Sequence, residues 1–247
     1  MSQRIALITG ASGGLGQAVA RKLAAGGWSL LLVSRQADRL AEAYGADHLQ
    51  IEADCSTVDG ARQIFEHANV HGRIPTHLAH CVGNIRLGAL HRMKEADWHA
   101  CLDANLGSAF HTLAAFVGNL REARLPGAAV LVSSAAARIG TPNHEAVSAA
   151  KAGLEGLVRA AAATYAANAI RINAVAPGIM DTPATTHLLN NAALREVTAR
   201  QYPLPGIGDP NELAELMAWL LSDQAARVTG QVWSLDGGFS TVRPLVK

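Results

Sequence analysis

A glycine-rich segment near the N-terminus, residues 9–16, carries the first pattern that points to chemistry. It directly follows the apolar run 5–9 and leads into residues with helical periodicity. Glycines let a turn approach a pyrophosphate, and unpaired N–H groups at a helix start attract phosphate oxygens. The segment is therefore expected to bind a dinucleotide, although a tight turn without a ligand has the same composition. The expected contacts are Gly10, Ser12, Gly14, Leu15 and Gly16.

Histidines and cysteines do not form the pattern of a metal site. His77 and His80 are spaced HxxH, but on a buried strand this spacing points them to opposite faces. No carboxylate or cysteine pattern completes a ligand set, and His80 is expected to pack near the cofactor instead. The three cysteines, Cys55, Cys81 and Cys101, are widely spaced and odd in number. The sequence thus predicts neither a metal site nor a disulfide framework, and it places the protein in the reducing environment of the cytoplasm.

Composition excludes several classes of protein. Of 247 residues 49% are hydrophobic and 17% are charged, which is typical of a chain with a sizeable core. The 21 Lys and Arg and 20 Asp and Glu leave a net charge of +1, and no run of like charges indicates nucleic-acid binding. No stretch has the roughly 18 to 20 apolar residues of a membrane span, and the N-terminus lacks a signal peptide pattern. A cytoplasmic protein without a membrane or nucleic-acid partner is expected.

Short apolar runs alternate with longer Ala-rich segments along the whole chain. The runs 5–9, 29–34, 49–53, 76–81, 128–133 and 171–175 have the length of buried strands. The segments 15–25, 36–44, 58–67, 97–122 and 148–167 are predicted helices. This alternation predicts one α/β domain over 1–247, a doubly wound Rossmann sheet with helices on both faces. The Pro- and Gly-rich stretch at about 178–210 is expected to form a substrate lid.

The spacing of Gly10, Gly14 and Gly16 is TGxxxGxG, which resembles the short-chain dehydrogenase/reductase family. Further segments match that family in order over nearly the entire chain, with a likeness to its 3-oxoacyl-acyl-carrier-protein reductases. His80 to Gly83 occupies the place of its NNAG segment, with only Gly83 kept, and residues 229–238 resemble its last strand. The resemblance implies a parallel seven-stranded sheet and an NAD(P)-dependent oxidoreductase acting on CH–OH groups.

The resemblance also implies roles for individual residues. Asp54, with its neighbour Cys55, matches the acidic position beside the adenine ring. Asn105, Ser134 and Lys151 match the family's active-site asparagine, serine and lysine. The segment that packs against nicotinamide corresponds to Pro177, Gly178, Ile179 and Thr182.

The chain departs from the family at one decisive position. The family tyrosine precedes the lysine by four residues, and that position holds Val147. In the family mechanism the tyrosine hydroxyl transfers a proton to or from the substrate oxygen, which valine cannot do. Ser134, Lys151 and, through water, Asn105 are left to polarise a carbonyl.

His144 is a candidate replacement for the missing tyrosine. If the helix has begun by residue 144, His144 shares one face with Val147 and Lys151. Imidazole ordinarily titrates near pH 6.5, which suits proton transfer. The alternative is that residues 143–145 only cap the helix, with Asn143 as the N-cap and Glu145 in the first turn complementing the helix dipole.

The end of the second predicted strand indicates which dinucleotide is preferred. It reads Val33, Ser34, Arg35, whereas NAD-preferring relatives carry an acidic residue there. Ser34 removes the repulsion against a 2′-phosphate and Arg35 can pair with it, so NADP(H) is expected over NAD(H). A solvated Arg35 is the alternative, since Gly13 lacks the basic side chain of many NADP-binding relatives.

Two functions of different classes follow. One is an NADP-dependent oxidoreductase that interconverts a carbonyl and a secondary alcohol by hydride transfer, with an atypical proton donor. The other is a catalytically weak or inactive NADP-binding regulatory or partner subunit. A small-molecule substrate and a homotetramer are expected by resemblance, and Tyr202 in the lid is a weaker candidate for the substrate pocket.

Overall fold

The computed structural model describes residues 4–243, and its centre is one parallel β-sheet. The strands are β1 (Ile5–Thr9), β2 (Ser29–Ser34), β3 (Leu49–Glu52), β4 (His77–His80), β5 (Gly127–Val132), β6 (Ile170–Pro177) and β7 (Val232–Leu235). They form a seven-stranded sheet in the order β3-β2-β1-β4-β5-β6-β7. The order reverses direction between β1 and β4, as a doubly wound sheet requires. The predicted fold class is confirmed.

The helices that the structure describes cover both faces of this sheet. They are α1 (Gly14–Ala25), α2 (Ala37–Tyr44), α3 (Val58–Val70), α4 (Glu95–Leu102), α5 (Ser108–Ala123), α6 (Glu145–Tyr165), α7 (Ala192–Ala199) and α8 (Pro210–Leu221). Because strand side chains alternate between faces, Leu7 packs in one core with Phe116, whereas Ile8 packs in the other with Leu213. The strands are apolar throughout because helices cover both faces.

The predicted helix 97–122 is wrong in its middle. α4 and α5 are separated by a π-helical turn, Asp103–Gly107, in which one extra residue shifts the phase of the helix. The backbone N–H of Ser108 consequently bonds to the carbonyl oxygen of Asp103 instead of Ala104. This turn carries Asn105.

The start of α6 also differs from the prediction. The N-cap is His144, not Asn143, which has a left-handed φ of 63° that asparagine tolerates. The helix begins three residues before the predicted 148, at Glu145, which does lie in the first turn. The early start places His144 one helical turn before Val147.

Candidate active site

The carboxyl ends of the strands open into a cavity of about 490 Å³. Because the strands are parallel, the segments that follow β1, β4, β5 and β6 meet at this edge. Residues from the predicted lid complete the lining on the far side. The predicted cofactor contacts found in the lining are Gly10, Gly14, Leu15, Gly16, Gly83, Lys151, Pro177, Gly178, Ile179 and Thr182.

The turn after β1 needs its glycines for close backbone packing. Gly10 has a φ of 67°, and a Cβ atom there would lie 2.9 Å from the carbonyl carbon of Cys81. A Cβ atom at Gly16 would overlap the carbonyl oxygen of Gly10. At Gly14 it would lie 2.9 Å from Pro183 in the lid segment. The close packing of the turn brings the N-terminus of α1 to the cavity, a position that suits a phosphate.

Asn105 is held in the π-helical turn by a set of hydrogen bonds. Its Nδ2 donates to the carbonyl oxygens of Cys101 at 3.0 Å and Asn84 at 3.1 Å. The backbone N–H of Asn84 donates back to Asn105 Oδ1 at 3.3 Å. The side chain is fully buried at the cavity wall, so its orientation is fixed before any ligand binds.

Ser134 follows β5 and has a hydroxyl hydrogen that is free for a ligand. Its Oγ accepts a hydrogen bond from the backbone N–H of Ala136 at 3.2 Å, at the start of a short 3-10 turn. A serine hydroxyl donates one hydrogen and accepts through its lone pairs. The oxygen of Ser134 is therefore oriented while its hydrogen is left to donate to an oxygen in the cavity.

Lys151 reaches from α6 to the same point in the cavity as Asn105. Its Nζ donates to the carbonyl oxygen of Val132 at 2.7 Å, and burial lowers the pKa of Lys151 to about 8. A Cβ atom at Gly83 would lie 3.3 Å from Lys151 Nζ and 2.7 Å from Asn105 Oδ1. The two groups face one point above Gly83, which a larger residue would fill.

Comparison with known proteins agrees with this arrangement. The family model described as enoyl-(acyl carrier protein) reductase matches residues 10–240. A cis-4-hydroxycyclohexanecarboxylate dehydrogenase of Sinomonas cyclohexanicum is 36% identical over 251 residues, covering 98% of each chain. A 3-oxoacyl-(acyl-carrier-protein) reductase of Pseudomonas aeruginosa is 34% identical, covering 95% of this chain and 96% of its own. The chain belongs to the short-chain dehydrogenase/reductase family.

Solved structures of similar fold include other dehydrogenases. The aldohexose dehydrogenase of Thermoplasma acidophilum superposes with a TM-score of 0.90 at 26% identity, covering 99% and 97% of the two chains. RhlG of Pseudomonas aeruginosa, in a complex with NADP, has a TM-score of 0.90 at 28% identity and covers 96% of each chain. Short-chain dehydrogenases and reductases are oxidoreductases that act on CH–OH groups, so the predicted family and enzyme class are confirmed.

Val147 is the position at which the resemblance places the tyrosine of short-chain dehydrogenases. It lies one helical turn before Lys151 on α6 and lines the cavity. Its side chain is 5% exposed and packs with Cys101 and against Trp98. An apolar side chain there supplies no proton, so any proton transfer in this cavity needs another group.

His144, the N-cap of α6, lies in the cavity lining with Val147 and Lys151. Its Nδ1 is 2.8 Å from the carbonyl oxygen of Pro142. Because a carbonyl oxygen only accepts, we assign the hydrogen to Nδ1. The other nitrogen, Nε2, is then an acceptor when the ring is neutral and a donor when it is protonated.

A second group of predicted cofactor residues lies outside the cavity lining, at or just after the ends of β1, β2 and β3. The hydroxyls of Ser12 and Ser34 are 2.8 Å apart, and Arg35 is exposed. Partial burial alone would raise the pKa of Asp54, but hydrogen bonds from Ser56 and the charge of Arg35 outweigh it and lower that pKa. Arg35 and Asp54 therefore belong to one surface.

Cys55 does not belong to that surface. Its side chain is 3% exposed within the hydrophobic core, and burial raises the pKa of its thiol to about 11. The side chain points inward as β3 gives way to α3, so the predicted contact of Cys55 with a cofactor would have to be made by its backbone.

Other side chains at the site had weak sequence signals or none. Tyr202 lines the cavity, and its hydroxyl accepts from the backbone N–H of Ile179 at 2.8 Å. The hydroxyl of Tyr44 donates to the carbonyl oxygen of Ala11 at 2.7 Å and so supports the glycine turn. Asn84 was not predicted at all. These residues come from segments without a recognisable motif, and only their packing brings them to the site.

Two absences apply to residues 4–243, the part of the chain that the structure describes. No group of three His, Cys, Asp or Glu side chains lies close enough to hold a metal ion. No helix in the same range is long and apolar enough to span a membrane.

Proposed function

We propose that this chain is an NADP(H)-dependent oxidoreductase that interconverts a carbonyl and a secondary alcohol, with a proton donor other than tyrosine. The observation that carries the proposal is the convergence of Ser134, Lys151 and Asn105 on one cavity that also opens onto the glycine turn. A protein that only binds a nucleotide needs the turn but not an oriented serine hydroxyl.

The residues present fit a dinucleotide cofactor. The turn before α1 packs closely because Gly10 and Gly16 lack Cβ atoms, and Gly83 leaves open the space between Asn105 and Lys151. NADP(H), when bound, supplies or accepts a hydride. The turn after β1 would hold its phosphates, and the segment from Pro177 to Thr182 would line its nicotinamide end.

The preference for NADP(H) over NAD(H) rests on the surface beside the cavity. Arg35 is exposed and free to turn toward a phosphate, and Ser34 places no charge next to it. The similar RhlG structure holds NADP. Asp54 works against a phosphate, but it lies within reach of the charge of Arg35 and accepts from Ser56.

Ser134 would donate its hydrogen bond to the carbonyl oxygen of a substrate and so polarise it. We propose two groups in the cavity lining as candidates for the proton donor. His144 offers Nε2, with Nδ1 anchored on Pro142, and Lys151 offers an ammonium group beside Asn105. Each of these groups can carry a proton that it gives up to an oxygen in the cavity, as a general acid in carbonyl reduction requires.

Steady-state reduction of cyclic ketones and 3-oxoacyl thioesters tests the proposal. We expect turnover with NADPH in the wild type, and Ser134→Ala to lower it by roughly 10² to 10⁴. If His144 is the donor, His144→Ala does the same while the Kd for NADPH stays constant. The exposed His99 on α4 provides the matched control, His99→Ala. An unimpaired His144→Ala variant would exclude this histidine and assign the proton to Lys151 or a water it holds.

The second candidate function is an NADP-binding partner subunit without turnover. It is favoured by the packing of Val147 against Cys101 and Trp98, an apolar contact that does not depend on catalysis. Complete inactivity of the wild type on the whole panel, together with tight NADPH binding, would support this second function and contradict the first.

A small-molecule substrate fits the cavity, whose far wall is largely apolar. The residues there include Ile85, Leu87, Ala184 and Leu188. The Sinomonas cyclohexanicum relative is named as a dehydrogenase of a hydroxycyclohexane carboxylate, and the Pseudomonas aeruginosa relative is named as a reductase of a 3-oxoacyl carrier protein. The substrate panel therefore spans both kinds of carbonyl compound.

A homotetramer is part of the proposal. Phe110 on α5 is 52% exposed, and Trp233 on the edge strand β7 is 39% exposed, so both surfaces have apolar groups that a second copy would cover. The free thiols of Cys55, Cys81 and Cys101 are compatible with the cytoplasm as its compartment.

A further inference from the structure

A buried histidine at the end of β4 takes no part in the chemistry proposed above. His80 is 1% exposed and is absent from the cavity lining. Its Nδ1 lies 2.8 Å from the hydroxyl of Thr9, and its Nε2 lies 3.1 Å from the hydroxyl of Ser108. The ring therefore joins the last residue of β1 to the first residue of α5.

The direction of each hydrogen bond follows from the single hydrogen on Ser108 Oγ. That hydroxyl donates to the carbonyl oxygen of Ala104 at 2.7 Å, so it must accept from His80 Nε2–H. Nδ1 then accepts the hydrogen of Thr9. Burial, reinforced by the charge of Lys151, lowers the pKa of His80 to about 3, which keeps the ring in this neutral form.

The bond from Ser108 to Ala104 replaces one that the π-helical turn removes. In an α-helix the backbone N–H of Ser108 would bond to the carbonyl oxygen of Ala104, but here it bonds to that of Asp103. The side-chain hydroxyl of the same residue occupies the vacated acceptor. His80 Nε2 donates to the same hydroxyl oxygen, so a residue of β4 helps to stabilise the π-helical turn.

We propose that His80 is a positioning residue that holds the π-helical turn, and with it Asn105, in place through the Ser108 hydroxyl. The consequence for turnover rests on the proposed function, since it assumes that Asn105 serves catalysis. The stabilisation of the π-helical turn by His80 is independent of the proposed function. If His80 only filled space in the core, its effect on the π-helical turn would not depend on the Ser108 hydroxyl.

Backbone hydrogen–deuterium exchange of residues 103–108, measured by mass spectrometry, tests the proposal without any turnover. His80→Leu removes both hydrogen bonds, and Ser108→Ala removes the link to the turn. We expect each change to speed exchange in this segment by roughly tenfold. His80→Gln keeps one donor and one acceptor, so it should restore slow exchange. Leu113→Ala, a buried change on α5 away from the turn, controls for general destabilisation.

The activity arm compares the same variants. We expect Ser108→Ala and His80→Leu to lower kcat by roughly tenfold with little change in KM for the cofactor, while Leu113→Ala lowers Tm without that loss. Unchanged exchange at 103–108 in Ser108→Ala, or equal acceleration in Leu113→Ala, would overturn the positioning role. If exchange at 103–108 is faster in these variants but the wild type has no turnover, the positioning role is upheld and the proposed function is rejected. If His80→Leu does not fold, Ser108→Ala decides.

Discussion

The ammonium nitrogen of Lys151 lies 2.7 Å from the carbonyl oxygen of Val132, the last residue of β5. This bond ties the middle of α6 to the strand that leads directly into Ser134. It uses one of three N–H donors, and Lys151 lines the cavity together with Val147. A buried ammonium with spare donors is a group whose protonation state controls the site.

Carbonyl reduction should therefore fall as pH rises through about 8, because burial lowers the pKa of Lys151 to that value. Below it the ammonium is present to donate or to stabilise charge, and above it the group is neutral. We expect a decline approaching tenfold per pH unit above the inflection. Lys151→Arg, whose side chain stays charged, should be slower but free of this inflection. An inflection that persists in Lys151→Arg would assign the titration to another group.

Cofactor choice should depend on Arg35. Arg35→Ala should weaken NADPH binding by roughly tenfold and leave NADH binding unchanged. The reason is that Arg35 is proposed to pair only with the 2′-phosphate, which NADH lacks. Arg39→Ala, an exposed arginine on α2, is the matched control and should affect neither. Fluorescence titration of both cofactors measures the effect. Tighter binding of NADH by the wild type, unaltered in Arg35→Ala, would contradict the preference.

Stability should fall as pH falls below the ordinary histidine pKa. Burial lowers the pKa of His77 to about 4 and that of His80 to about 3, so both are neutral in the folded chain. The unfolded chain takes up protons on them below about pH 6.5, which favours unfolding by up to about 1.4 kcal/mol per pH unit for each. Their stabilising contribution is therefore complete above pH 6.5 and is lost progressively toward pH 3.

Urea unfolding at pH 7.5, 6 and 5 measures this dependence. His80→Gln should reduce the slope of the free energy of unfolding below pH 6.5, because glutamine does not titrate. His99→Ala removes an exposed histidine and should leave the slope unchanged. An identical slope in His80→Gln and the wild type would show that His80 is protonated in the folded state.

Assembly should depend on the exposed apolar surface of α5. Light scattering should give a mass about four times the 25.8 kDa of one chain. Phe110→Glu places a charge on the α5 surface and should reduce this mass, whereas Val70→Glu, at an 84% exposed site on α3, should not. A monomer at micromolar concentration in the wild type would reject the tetramer.

Sequence periodicity predicted the sheet and most helices because those elements depend on local apolar spacing. It missed the π-helical turn, since the apolar spacing continues through it and the one glycine in it, Gly107, has helical backbone angles. The turn depends on Ser108 meeting His80, which lies 28 residues earlier in the chain. The inward direction of Cys55 and the placement of Tyr202 likewise depend on packing between distant segments. Motif spacing predicted Asn105, Ser134 and Lys151 from their order along the chain, and the fold brings all three to the cavity lining.

Restoring a phenol at residue 147 separates the two proposed functions. Val147 lines the cavity one helical turn from Lys151, so the hydroxyl in Val147→Tyr is expected to reach the same space. Val147→Phe is the matched control, with the same ring and no proton to give. For an oxidoreductase with its own donor, the wild type turns over ketones with NADPH, and Val147→Phe changes the rate only through its bulk. For a partner subunit, the wild type and Val147→Phe are both inactive and only Val147→Tyr gains a rate. Steady-state NADPH oxidation decides between them, and a rate that depends on the tyrosine hydroxyl would contradict the active enzyme that we propose.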